Sequence, residues 1–257
     1  RNCLTLNTLV LGFKFRFKIE IMDMKKLSIY TLAVASMIGA LEAESLFLIT
    51  GENGEVTENF DWNDTSKWTP TVSGVAGNDL NLNFSTTTEV KSTINAGLTA
   101  GNVVVNVKQN APSASDGGRG HFYVNIERDT TFNSLTYNMT SPAWWGSYIM
   151  IKTGSTLTIN NDLYAGNSGT NANFINFASN NQADYLGNLY VKGNLVFTSN
   201  APGPQTHALW TQLGNFTVNG AFVMKAANVG DTGRWRISNG KTTIGGLSGE
   251  STSVHQI

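Results

Sequence analysis

The sequence predicts an all-β chain built as a parallel β-helix, a solenoid whose coils stack on one another. Three observations point there. Apolar residues alternate over short runs such as Val103-Val104-Val105-Asn106-Val107, Tyr148-Ile149-Met150-Ile151 and Phe216-Thr217-Val218. Alternation with β-branched and aromatic residues is a strand pattern, and no stretch keeps a helical period. The runs are bounded by Asn, Gly, Asp and Ser, which supply corners because Gly and Asn tolerate positive φ. Three segments also look alike: Leu157–Leu163, Leu189–Leu195 and Phe216–Phe222. Each reads apolar, polar, apolar, then a polar or Gly corner, then apolar. They start 32 and then 27 residues apart, the scale of a solenoid coil. A β-sandwich is the alternative, since hairpins also give short strands, at roughly 8–12-residue intervals.

Within each segment the two apolar residues of the first strand point to one side, because side chains alternate faces. The corner turns the chain and the next apolar residue re-enters the core. Trp235-Arg236-Ile237-Ser238-Asn239-Gly240 is expected to begin a fourth, weaker copy. The abundant Asn can stack at successive turns and hydrogen-bond along a solenoid; turn demand alone also accounts for it.

The chain divides into four stretches. Residues 1–21 alternate apolar and basic residues and read as upstream translation outside the fold. Residues 22–43 read as a secretory signal. Lys25 and Lys26 follow the candidate starts Met22 and Met24, the run Leu27–Leu41 is uncharged, and Ala43 suits cleavage after it. That run is 15 residues long, short of the roughly 20 needed to span a membrane. Residues 44–130 are expected to form an N-terminal β cap region, and 131–257 the solenoid coils. Arg1 in place of Met, and an end at Ile257 in mid-pattern, mark the expected product as a piece of a longer reading frame. The remainder of its own chain is then an expected partner.

Charge narrows the partners. Only 14% of residues are charged and the net charge is −1. Nucleic acid needs clustered Lys and Arg, and none cluster beyond the N-terminal segment. Cys3 is the single cysteine, so the exported part offers no disulfide, thiolate or Cys nucleophile.

Candidate chemistry is thin. His121, His207 and His255 sit in neither a G-x-S-x-G nor an H-E-x-x-H context. Asp162, Asp184, Asp231 and Glu250 are scattered, whereas glycosidase carboxylates must stand at a defined separation. Asp116-Gly117-Gly118-Arg119-Gly120 has the glycine content of a calcium loop but occurs once. No catalytic, metal or cofactor residue is assigned. Trp144, Trp145 and Tyr148 are the candidate contacts for a surface glycan or a protein, because an exposed aromatic face stacks on sugar rings. The competing reading is that both Trp fill a cap or a loop cluster. Trp62 and Trp68 are expected to cap the solenoid entry, where open strand edges need covering.

Phe60-Asp61-Trp62-Asn63-Asp64-Thr65-Ser66-Lys67-Trp68, followed by Pro70 and Gly77-Asn78-Asp79, resembles the opening of exported bacterial proteins with autotransporter-associated β-strand repeats. Thr243-Ile244-Gly245-Gly246-Leu247-Ser248-Gly249-Glu250 is similar to a step in the same proteins. The resemblance implies a right-handed parallel β-helix passenger, displayed or released at the cell surface, and carries no defined activity. The expected function is a structural or adhesive surface module without catalysis. The alternatives are a polysaccharide-active β-helix enzyme and a carbohydrate-binding module.

Overall fold

The computed structural model describes residues 3–10, 13–20, 43–109, 121–141, 146–169, 174–178, 183–200, 206–226, 232–238, 240–249 and 254–256. The signal segment 22–43 lies outside them except for Ala43. The chain forms two units, Arg1–Glu42 and Ala43–Ile257.

In the first unit, β1 (Cys3–Val10) pairs antiparallel with β2 (Phe13–Glu20). Residues set aside as lacking domain character thus form a hairpin. The apolar/basic alternation is itself a period-two strand signal, though a lone two-stranded hairpin is marginally stable in water.

The second unit is a β-solenoid of about five turns. The entry is built from β3 (Ser45–Leu48), β4 (Phe60–Asp61) and β5 (Trp68–Thr69). The coils follow as β6 (Asp79–Thr86), β7 (Val90–Ile94), β8 (Thr99–Gln109), β9 (Phe122–Ile126), β10 (Thr130–Ser141) and β11 (Gly146–Ile151). Next come β12 (Thr156–Ile159), β13 (Leu163–Gly169), β14 (Phe174–Ala178), β15 (Asn188–Val191), β16 (Leu195–Asn200) and β17 (Thr206–Gln212). The last are β18 (Asn215–Ala226), β19 (Thr232–Ser238), β20 (Lys241–Gly249) and β21 (Val254–Gln256).

These strands make two sheets. A long sheet of 11 strands holds β3, β5, β6, β8, β10, β12, β13, β15, β16, β18 and β20; a second sheet of 8 holds the others. Every pairing in both is parallel except β3 with β5. Parallel stacking excludes a β-sandwich, whose hairpins pair antiparallel. It also begins upstream of residue 131, with β3 on β6 and β6 on β8.

The look-alike segments are consecutive rungs. Leu157, Leu189 and Phe216 align, as do Ile159, Val191 and Val218, and Leu163, Leu195 and Phe222. All nine side chains are buried. The fourth rung is β20, not Trp235–Gly240: Thr242 follows Phe216, Ile244 follows Val218 and Leu247 follows Phe222. Trp235 belongs to the second sheet, where it follows Leu209. Its alternation resembles the repeat because strands of both sheets bury alternate residues in one lumen.

Corners and ladders come from the Asn and Gly residues. The long sheet has two limbs, joined in β10 and β18 and broken in between by Asn160-Asn161-Asp162 and Lys192-Gly193-Asn194. At this bend coils approach closely: a Cβ on Gly193 would lie 2.7 Å from the Asn161 carbonyl oxygen. Outside, Asn161 Nδ2 donates to Asn133 Oδ1 at 2.8 Å and Asn133 Nδ2 to Asn102 Oδ1 at 3.0 Å. Asn138 Nδ2 donates to Asn106 Oδ1 at 2.8 Å, and Asn106 in turn to Asn83. The Asn content therefore serves ladders as well as turns.

At the entry, β5 covers the edge of β3. Trp62 and Trp68 are both 1% exposed and meet edge to face at 6.2 Å, and Trp68 Nε1 donates to the Trp62 carbonyl at 3.0 Å. Trp62 also stacks on Phe132 at 6.0 Å, which plugs the lumen from the entry side. The expected capping role matches this geometry.

Candidate functional site

The outer face of the second sheet carries Tyr148. Its lane runs Lys91, Tyr123, Tyr148, Asn176, Trp210, Arg236, one residue per rung. Parallel register forces like positions to stack at about 4.8 Å, so aromatic residues one coil apart in sequence become neighbours. Tyr148 and Tyr123 stack with centroids 5.2 Å apart and planes 17° apart. His121 abuts both rings edge-on, at 5.4 Å from Tyr148 and 5.8 Å from Tyr123. Its Nδ1 lies 3.1 Å from the Gly146 carbonyl. Lys91 Nζ stands 5.8 Å above the Tyr123 ring, a cation–π arrangement. One face of Tyr148 is thus taken up by Tyr123, and the ring is half-buried. Trp144 and Trp145 lie outside the described residues, between β10 and β11. Sequence reasoning did not single out Tyr123 and weighed His121 only as an isolated histidine, because their approach to Tyr148 needs the coil length.

The carboxylates hold corners. Asp162 Oδ1 accepts the Asn194 backbone N–H at 2.7 Å, and its Oδ2 accepts the Tyr164 hydroxyl at 3.1 Å. That bond and the Asp162 charge push the Tyr164 hydroxyl up. Asp184 lies in a turn, its carbonyl accepting the Thr153 N–H at 2.7 Å. Asp231, Glu250 and Asp116–Gly120 lie outside the described residues. His121, which immediately precedes β9, and His207 in β17 are separated by the two intervening strands of the second sheet.

Glu127 was not singled out from sequence. Its carboxylate accepts Lys152 Nζ at 2.8 Å and the Tyr185 hydroxyl at 2.6 Å. Partial desolvation pushes Glu127 up, but the hydrogen bonds from Lys152 and Tyr185 and the charges of Lys152 and Arg128 outweigh it. Its carboxyl is held below the ordinary glutamate range. Burial and the same carboxylate push Tyr185 up. With both oxygens engaged, the group clamps a corner across three segments of chain.

Among the described residues, no group of three or more His, Cys, Asp or Glu side chains is placed to hold a metal ion. No helix among them is long and apolar enough to cross a membrane. The regular outer surface is the remaining candidate. On the first limb of the long sheet, Thr99, Thr131, Thr158, Tyr190, Thr217 and Thr243 form a lane, one per rung. Asn219 Nδ2 donates to the Tyr190 hydroxyl at 2.7 Å, and Lys192 Nζ to Asn160 Oδ1 at 2.8 Å. Such rows can make repeated neutral hydrogen bonds along one line. No family model, no curated protein and no solved structure matches this chain.

Proposed function

We propose that residues 44–257 are an exported structural or adhesive module of the bacterial cell surface, of the autotransporter-passenger kind, acting by presenting rigid rows of side chains. The observation that carries this reading is the in-register stacking of coils, with side-chain amide ladders tying the outer rows together. A surface so built holds its side chains at a fixed spacing without a ligand, and pre-organisation lowers the entropy cost of adhesion. The charge, apolar core and small-residue order of residues 22–43 supports export. The enzyme reading has less support, since Asp162 and Glu127 spend their oxygens on corners.

The test is expression of the full chain in a bacterial host, with fractionation and N-terminal sequencing. The expected product starts at Glu44 and is cut by protease added to intact cells. A chain retained in the cytoplasm with residues 22–43 attached would overturn the proposal.

A further inference from the structure

We propose that the outer face of the first limb of the long sheet, centred on Tyr190, binds an uncharged β-1,4-linked polysaccharide lying along the solenoid axis. The inference rests on the scaffold reading and names what the presented face holds.

Three observations carry it. The lane of Thr hydroxyls is interrupted once, at Tyr190, where a half-buried ring sits between Thr158 and Thr217. A ring flanked by hydroxyls and amides is the chemistry that holds a pyranose: the apolar face of the sugar stacks, and its hydroxyls find donors and acceptors. Second, the flanking rows are neutral for the most part. On one side Asn215 Nδ2 donates to Asn188 Oδ1 at 2.8 Å. That row carries one charge at each end, Asp129 beside Thr156 and Lys241 beside Asn215. On the other, exposed Asn133, Asn160 and Asn219 line up with the cation Lys192, so the charges near Tyr190 are isolated and of mixed sign. A polyanion would call for clustered cations, so the array complements an uncharged polymer.

The third observation is the period. Rungs repeat at about 4.8 Å, close to the advance of one sugar in an extended β-1,4 chain. A peptide strand advances about 3.3 Å per residue and loses register with the rows within a few rungs. A repeating array favours a partner with its own repeat, and this spacing selects the polysaccharide.

The experiment is retention of the purified full chain on microcrystalline cellulose and on chitin, with polygalacturonate beads as the anionic control. Thermal unfolding is followed by circular dichroism for every variant. The wild-type chain is expected to be retained on cellulose or chitin and released by the matching soluble hexasaccharide. Tyr190→Ala is expected to bind about tenfold more weakly, the loss of one ring contact. Tyr190→Phe keeps the ring and should retain binding, and the double variant Thr158→Val, Thr217→Val should weaken it. Tyr164→Ala, which removes an exposed ring on the second limb, should leave it unchanged. Retention of a folded chain on neither neutral polymer, retention on polygalacturonate alone, or equal binding by folded Tyr190→Ala would each overturn the inference. Should Tyr190→Ala unfold, unchanged binding by the folded Thr double variant would overturn it. Binding of purified protein does not depend on export, so a failure here leaves the scaffold reading to the fractionation test.

Discussion

At the residue scale, the close approach of coils makes glycine a requirement at a few positions. Gly193 is the clearest. An added Cβ would meet the backbone of Asn161 at 2.7 Å, and backbone on a neighbouring rung cannot swing aside. Gly193→Ala is therefore expected to destabilise the chain by about 1–3 kcal/mol, as overpacking does. Gly74→Ala is the control, because nothing lies within 4 Å of its Cβ position. Urea denaturation checks both; equal losses would show that the bend is not the cause. The sequence carried the Gly193-Asn194 corner but not this contact, which depends on which coil lies beneath.

At the element scale, the corner after β9 depends on an ionised Glu127. Its folded pKa lies below the ordinary value of 4.5. A depressed carboxylate contributes stability above its unfolded pKa and loses it as pH falls through the lower folded value. The stability gap between the wild-type chain and Glu127→Gln should be full near neutral pH and shrink as pH drops below about 4.5. Chemical denaturation at a series of pH values measures it, and a gap constant down to pH 2 would remove the charge from the explanation. This clamp was not legible in the sequence. Glu127 and Tyr185 are 58 residues apart, and neither sits in a motif. Tyr148 was legible as an aromatic on a strand, but its stacking on Tyr123 was not, because the coil length sets that pairing.

At the scale of the whole molecule, stability in a stacked array comes from neighbour-on-neighbour contacts, so rungs with two neighbours are the most protected. The terminal rung shows the difference. Leu247 is 48% exposed, whereas Phe222, the same position one rung earlier, is 0% exposed. Ile237 at 45% follows the buried Thr211 in the second sheet. Hydrogen exchange read by mass spectrometry should be slowest in β10, β13 and β16 and fastest in β20, since local opening tracks buried contact. Uniform exchange across rungs would contradict a stacked solenoid in which β20 is the least covered of these rungs.

The sequence by itself determined the class: short alternating strands, Asn and Gly corners, and segments recurring at coil spacing. Each of these is local, written in residues near one another, and the aligned apolar slots of 157–163, 189–195 and 216–222 already named three rungs. Tertiary structure decided the rest. It placed the fourth rung in β20, began the stacking upstream of residue 131 and wove the Asn residues into ladders. It also lined up Tyr190 with Thr residues from five other strands. The physical reason is that coil length varies. The residue lying above another depends on how many residues each corner absorbs, and only closure of every coil around the common core settles that count.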